Sequence, residues 1–148
     1  KDLIGISMSN TNVIMAATGC SERVIGNNPF SYAIPWDTEK VIFFDVAMSA
    51  ASGLKIIACD IEGKSIPAGW LISPNGEQTT DPKDFKKGHC EGGALLPFAE
   101  HKGYGFAVMV ECLAGILLRL KLRESELEEV LSLQWFERNY HGACFRRA

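Results

Sequence analysis

Apolar and polar positions alternate near the start of the chain in the pattern of β-strands. The alternation over Ile4–Ser9 predicts a first strand, and the short extended-type segment Asn12–Ala17 predicts a second. Two further strands are predicted over Ser31–Trp36 and Val41–Val46, which a polar tetrapeptide joins. The last of these begins with four apolar residues in succession, which is typical of a strand covered on both faces. The first half of the chain is therefore predicted to be rich in strands.

Later in the chain the apolar residues recur with the period of a helix. This period predicts a helix over Ala47–Ile61, and the apolar run that follows Glu100 predicts a second one that extends to about Leu120. A third helix is predicted after Ser125, because its spacing to Glu128 fits a capping box. Helices and strands are therefore both expected in this chain.

Thirty residues with little regular pattern lie between the first two predicted helices. Proline, glycine and asparagine punctuate Lys64–Gly93, where only Trp70–Ile72 is predicted as a short strand. Gly26–Pro29 has the composition of a tight turn. A long loop of this kind usually wraps a binding site or a neighbouring subunit, so the same is expected here.

Composition and charge exclude several classes of protein. A length of 148 residues predicts one domain, and a formal net charge of −3 offers no basic surface for a nucleic acid. The longest apolar run, Phe106–Leu118, is interrupted by Glu111 and is too short to cross a bilayer. Five scattered cysteines, without the spacing of a zinc site, favour reduced thiols in a cytoplasmic protein. We therefore expect no metal site, no membrane span and no nucleic-acid partner.

A candidate anion site lies at the start of the helix after Glu100. Lys102 is preceded by His101 and followed by Gly103 and Gly105, so a ligand could approach the backbone closely. Free N–H groups of the first helical turn and the Lys102 ammonium would then converge on one anion, such as a phosphate. The order of residues is neither that of a P-loop nor that of a Rossmann fingerprint. A solvated lysine in a flexible turn explains the pattern equally well, and both interpretations stay open.

Two further polar groups stand at the ends of predicted strands. Asp45 ends an apolar strand before a predicted helix, where it could meet a ligand or serve as the helix N-cap. The triplet Asn10-Thr11-Asn12 follows the first strand and could hydrogen-bond a ribose or an amide, or form only a turn. The residues alone leave both alternatives open at each position.

Several motifs occur in the order in which one known family carries them. They are GISMSNT at Gly5–Thr11, GNNP at Gly26–Pro29, FFDVAMS at Phe43–Ser49, IPAGW at Ile66–Trp70, TTDP at Thr79–Pro82 and HKGYGFAVMVECLAGIL at His101–Leu117. Over residues 3–118 the chain resembles the malate/L-lactate dehydrogenase family of non-Rossmann NAD(P)-dependent oxidoreductases. The last motif is the most specific of the series.

The resemblance implies a mixed α/β fold with a largely antiparallel sheet, of which the chain holds a partial domain. In similar proteins NAD or NADP contacts the segments that correspond here to Asn10, Thr11, Phe44, Asp45, Val46, His101 and Lys102. The implied reaction is hydride transfer between the nicotinamide and a small 2-hydroxy or 2-oxo acid. A homodimer with sites near the subunit interface is also implied.

The chain departs from the family pattern in two respects. The family's histidine acid/base and substrate-binding arginine lie in N-terminal segments that nothing here matches, so no catalytic residue is assigned. Residues 1–118 are predicted to be the central NAD(P)-binding portion, and residues 119–148 a divergent helical tail of a truncated or frameshifted product. The alternative hypothesis is a catalytically incomplete remnant that acts as a binding or oligomerisation module, because uncovered sheet edges pair with other chains.

Overall fold

The computed structural model describes residues 3–37, 40–85 and 92–117, which form two sheets and two α-helices joined by turns and loops. The strands are β1 (Gly5–Met8), β2 (Val13–Ala16), β3 (Arg23–Gly26), β4 (Phe30–Pro35), β5 (Val41–Val46), β6 (Leu71–Ile72), β7 (Gln78–Thr79) and β8 (Ala94–Leu95). The helical elements are α1 (Gly53–Ile61), a 3₁₀ turn (Pro82–Asp84), α2 (His101–Val110) and a π-helical segment (Glu111–Ile116) that continues α2.

The two sheets are antiparallel with one exception. The three-stranded sheet has the order β1-β4-β5, and both of its pairs are antiparallel. The five-stranded sheet has the order β3-β2-β8-β6-β7, in which β2 and β8 run parallel. The prediction of a mixed α/β fold with a largely antiparallel sheet is confirmed.

The four strands that the alternation predicts are present as β1, β2, β4 and β5, with ends within one residue of those expected. The short strand expected within the loop Lys64–Gly93 is present as β6. The pattern predicts neither β3 nor the two-residue strands β7 and β8. The apolar residues of β3, Val24 and Ile25, are successive and show no alternation, and β7 and β8 are too short to show one.

The sequence predicts that both faces of β5 are covered, and in the described part of the chain this prediction is wrong. The four apolar residues that begin β5 expose between 45% and 77% of their surfaces, and Phe43 is the most exposed. β5 also forms one edge of the three-stranded sheet. An apolar run indicates that a strand favours burial, but it does not specify which atoms cover the strand.

The first helix begins at Gly53 rather than at Ala47, where the periodicity places its start. Ser52 is the N-cap, and its hydroxyl accepts a hydrogen bond from Leu54 N at 3.2 Å. A Cβ on Gly53 would lie 3.0 Å from Phe85 Cζ, so this glycine marks a close contact between α1 and the chain that follows the 3₁₀ turn.

The helix expected after Glu100 is present as α2 and continues as the π-helical segment to Ile116. Its expected end near Leu120 lies outside the described residues. The helix predicted after Ser125 and the tail 119–148 also lie outside them.

The core joins the five-stranded sheet to one face of each helix. Four residues of α2, Gly103, Tyr104, Ala107 and Val110, are buried at helical spacing and form the face that enters the core. The largest fully buried apolar side chains are Met15, Met48, Ile56, Leu71, Leu95 and Val110. Burial stabilises the fold by about 1.5–3 kcal/mol for each large side chain. This packing fixes α2 and gives the loops beside it a rigid base.

Candidate functional site

Four segments of the chain meet around Asn27 and Met48. Met48 N donates to Asn27 O at 2.8 Å, and Met48 O accepts from Phe98 N at 3.0 Å. Asn27 Oδ1 accepts from the Thr11 hydroxyl at 2.9 Å. The loop after β1, the turn after β3, the segment after β5 and the approach to α2 therefore converge here. We call this place the Asn27–Met48 junction.

The loop after β1 carries Asn10 and Thr11, and hydrogen bonds fix both residues. Thr11 N donates to Asn28 Oδ1 at 3.0 Å, and Asn10 Nδ2 donates to Glu111 Oε1 at 3.4 Å. A Cβ on Gly26 would lie 2.5 Å from two oxygens of Thr11, so only glycine fits against this loop. Thr11 is exposed and Asn10 is half-buried. Both side chains are therefore held in place while remaining accessible.

Asp45 lies inside β5 opposite Ser31, so its interpretation as the N-cap of α1 is wrong. The strand register places Ser7, Ser31 and Asp45 side by side on one face of the three-stranded sheet. An open depression of about 450 Å³ is lined by Gly5, Ser7, Ser31, Ala33, Phe43 and Asp45 of this face, and also by Ile6, Tyr32 and Phe44. Because four of these residues are small, a flat group has room there beside the Asp45 carboxylate.

Phe44 and Val46 lie on the other face of β5 from Asp45, because successive side chains of a strand alternate between its faces. The Phe44 ring stacks on Tyr32, with centroids 5.6 Å apart and an interplanar angle of 28°. Val46 is half-buried and packs against the core. The strand-end triplet predicted to contact a cofactor is thus divided between two faces.

His101 and Lys102 are both exposed in the first turn of α2. The neighbouring N–H groups are already bonded, because Lys102 N donates to Ala99 O at 3.2 Å and Gly103 N donates to Phe98 O at 3.1 Å. The expectation that these N–H groups are free for an anion is therefore wrong. The Lys102 ammonium, at the positive end of the helix, is the group that an anion could still meet.

A strained turn brings the start of α2 against the junction. Ala99 and Glu100 have φ angles of 45° and 54°, in the region that favours glycine. A Cβ on Gly103 would lie 3.0 Å from Met48 O. A Cβ on Gly105 would have no neighbour within 4 Å in the described residues. Of the two glycines, the first permits close backbone packing and the second faces open space.

Two residues that the sequence interpretation missed hold these segments together. Asn28 is fully buried, and Glu111 stands where α2 changes into the π-helical segment. Glu111 did leave a signal, since a carboxylate that interrupts an apolar helix needs polar partners wherever it is buried. Asn28 left none, because asparagine in a turn is ordinarily exposed.

The polar groups on the segments that meet at the junction suit a nicotinamide dinucleotide in their chemistry. Such a molecule carries phosphates, ribose hydroxyls and a carboxamide. Lys102 offers a cation, Asn10 and Thr11 offer an amide and a hydroxyl, and Asp45 offers a carboxylate that accepts from hydroxyls. These residues fit the group by donor and acceptor type.

The described part of the chain holds neither a grouping of metal ligands nor a helix that could span a membrane. Among residues 3–37, 40–85 and 92–117, no three or more His, Cys, Asp or Glu side chains are grouped so as to hold a metal ion. No helix in that part of the chain has the length and apolar character needed to cross a membrane.

Known proteins match this chain over most of its length. The profile of the malate/L-lactate dehydrogenase family matches residues 1–139. Malate dehydrogenase of Pyrococcus horikoshii is 41% identical over 124 residues, covering 79% of this chain and 33% of that protein. Ureidoglycolate dehydrogenase (NAD(+)) of Escherichia coli O157:H7 is 36% identical over 118 residues, covering 80% and 32%. The crystal structure of delta1-piperideine-2-carboxylate reductase from Pseudomonas syringae has a TM-score of 0.70 at 33% identity, covering 78% of this chain and 34% of that one. The chain thus spans about a third of the length of the curated relatives it matches.

Proposed function

Because the chain belongs to the malate/L-lactate dehydrogenase family, we propose that it forms the dinucleotide-binding portion of an NAD(P)-dependent oxidoreductase. The proposed reaction is hydride transfer between the nicotinamide and a small 2-hydroxy acid or its 2-oxo counterpart. The observation that carries this proposal is the family match over residues 1–139. The convergence of the loop after β1, the segment after β5 and the approach to α2 at the Asn27–Met48 junction supports it.

The proposed cofactor is NAD or NADP, which supplies or accepts the hydride when it is bound. Asn10 and Thr11 contact its polar edges, and Lys102 with His101 contacts a phosphate. The end of β5 at Phe44–Val46 brings the Asp45 carboxylate beside a ribose hydroxyl. These residues bind and orient the cofactor, and none of them is proposed as the acid or base of the reaction.

We also infer that the protein forms a homodimer and works in the cytoplasm. The exposed apolar residues of β5 lie at the edge of a sheet, and such edges pair readily with another chain. Five cysteines without a disulfide framework favour a reducing compartment.

Titration of the chain with NADH and with NADPH tests the cofactor proposal. Binding is followed by the nicotinamide fluorescence, and circular dichroism establishes that the sample is folded. We expect saturable enhancement of the fluorescence with at least one of the two cofactors. A folded sample that binds neither would refute the proposal.

Turnover assays test the reaction separately from binding. The chain is incubated with malate, lactate or other 2-hydroxy acids and the oxidised cofactor, and formation of the reduced nicotinamide is followed by absorbance. Turnover supports the oxidoreductase proposal for this chain. Cofactor binding without turnover would instead support the alternative, a catalytically incomplete module that binds or oligomerises.

A further inference from the structure

Asn28 connects the loop after β1 to α2 through a fully buried carboxamide. Its Oδ1 accepts from Thr11 N at 3.0 Å, and its Nδ2 donates to Ala107 O at 2.9 Å and to Glu111 Oε2 at 2.7 Å. Thr11 offers a donor and Ala107 offers an acceptor, so the oxygen and nitrogen of Asn28 cannot exchange places. The atom that Asn28 presents to Glu111 is therefore its Nδ2, which donates a hydrogen bond and cannot accept one.

Glu111 lies between two asparagines and accepts from both. Its Oε2 accepts from Asn28, and its Oε1 accepts from Asn10 Nδ2 at 3.4 Å. In the described part of the chain no lysine, arginine or histidine forms an ion pair with Glu111. An ionised carboxylate cannot donate, so Glu111 draws the amino end of the Asn10 carboxamide toward the helix. The side-chain carbonyl oxygen of Asn10 is at the other end of the carboxamide from Glu111, and in the described part of the chain it accepts no hydrogen bond.

Gly115, in the π-helical segment, leaves room for the side chain of Asn10. A Cβ on Gly115 would lie 3.3 Å from both Asn10 Nδ2 and Glu111 Oε1, so glycine leaves the room that this contact needs. The α-helical pattern gives way to the π-helical one at Glu111 itself. Such π-helical turns within helices are rare and frequently occur at functional sites.

We infer that Glu111 is a positioning residue for cofactor binding. Held by Asn28 on one side, it fixes the orientation of the Asn10 carboxamide on the other. Asn10 then presents its carbonyl oxygen, a hydrogen-bond acceptor, to the N–H or O–H groups of the dinucleotide. This inference rests on the proposed function, because it assigns a role in binding the cofactor proposed there.

The substitution Glu111→Gln separates orientation from size. The new amide must give its oxygen to the N–H of Asn28, so its amino group faces Asn10. Two amino groups cannot bond, so the Asn10 carboxamide turns over and directs a donor outward where an acceptor stood. Adding Asn10→Asp restores the polarity, because one carboxylate oxygen accepts from the new amide and the other faces outward. The double substitution also restores the local charge.

The dissociation constants of NADH and NADPH are measured for the wild type, Glu111→Gln, Asn10→Asp and the double variant. We expect Glu111→Gln to weaken binding about tenfold, which corresponds to about 1.4 kcal/mol, the size of one hydrogen bond. The double variant should return to within about threefold of the wild type. Glu62→Gln is the matched control, because Glu62 is exposed at the end of α1 and pairs with Lys64; it should bind like the wild type.

A second readout does not depend on the cofactor. The side-chain amide resonances of Asn10 in ¹⁵N–¹H spectra should shift in Glu111→Gln, and its amide protons should exchange faster with solvent. Circular dichroism establishes that each variant is folded.

Two results would overturn the positioning role. One is a folded Glu111→Gln variant that binds the cofactor as tightly as the wild type. The other is a folded double variant that binds no better than Glu111→Gln, since the loss would then not come from the orientation of Asn10. A wild-type chain that binds neither cofactor refutes the proposed function itself, and the positioning role fails with it. The wild-type and variant measurements therefore distinguish the two failures.

Discussion

Replacing Asn28 by alanine tests whether the buried carboxamide holds the site together. The substitution removes an acceptor from Thr11 N and two donated bonds, to Ala107 O and to Glu111 Oε2. Asn28 is fully buried, so water has no ready access to the partners that it leaves behind. The loop after β1 would lose its attachment to α2 at this point.

The expected cost follows from the three bonds. The two bonds to neutral backbone groups contribute about 1 kcal/mol each, and the bond to the carboxylate contributes about 2 kcal/mol. We therefore expect Asn28→Ala to lower the free energy of unfolding by about 4 kcal/mol. For a chain of this size, that corresponds to a fall in the melting temperature of about 12 °C.

The assay is urea unfolding followed by circular dichroism and tryptophan fluorescence. Asn75→Ala is the matched control, because Asn75 is exposed in the turn between β6 and β7; it should change the free energy of unfolding by less than about 0.5 kcal/mol. Asn28→Asp should be at least as destabilising as Asn28→Ala near neutral pH. The donating Nδ2 would be replaced by a second acceptor oxygen, which would face the acceptors Ala107 O and Glu111 Oε2. A loss below about 1 kcal/mol for Asn28→Ala would refute the reasoning.

Three other changes have defined outcomes. Gly103→Ala should lower the melting temperature, because its Cβ would lie 2.3 Å from the backbone oxygen of Phe98 and 3.0 Å from that of Met48. Gly105→Ala, with open space around it in the described residues, should instead stabilise α2 by about 1 kcal/mol. Thermal unfolding of the pair contradicts this if both melting temperatures shift the same way. Lys102→Ala should weaken NADH binding about tenfold at low salt and by less at high salt, as measured by fluorescence titration. Lys55→Ala, at another exposed lysine, is the control and should bind NADH like the wild type. An equal loss of affinity in the two variants would show that Lys102 has no specific role in binding a phosphate. Phe43 is 77% exposed on the edge strand β5, so Phe43→Ser should shift the chain toward monomer in sedimentation experiments. An unaltered distribution of oligomers would show that this edge does not mediate association.

Local sequence pattern was enough for the elements whose residues interact with near neighbours. Alternation over Ile4–Ser9 and the apolar run over Val41–Val46 predicted β1 and β5 closely, because both signals lie in the residues of the strands themselves. The helix that starts at His101 was likewise predicted from a continuous apolar run. The start of α1 was predicted six residues early, since tertiary hydrogen bonds hold the residues before Gly53 out of the helix, as Met48 N to Asn27 O shows.

The candidate site was predicted in part. Asn10, Asp45 and Lys102 were selected as candidates from the motifs. The family to which these motifs belong is shown by comparison with known proteins. Their surroundings did not follow from the motifs. The N–H group of Lys102 is bonded to Ala99 O, and Thr11 N is bonded to the buried Asn28, and neither bond has a sequence signature.

Periodicity and ordered motifs are properties of neighbouring residues, so they were sufficient to predict β1, β2, β4, β5, the helix that starts at His101 and the family. The covered faces and the meetings of distant polar groups came from the tertiary structure. Asn10 and Glu111 are 101 positions apart, yet they share a hydrogen bond, and Asn28 joins Glu111 across 83 positions. Contacts between residues so distant leave no periodic trace in the sequence, since they exist only once the core has brought α2 against the loop after β1.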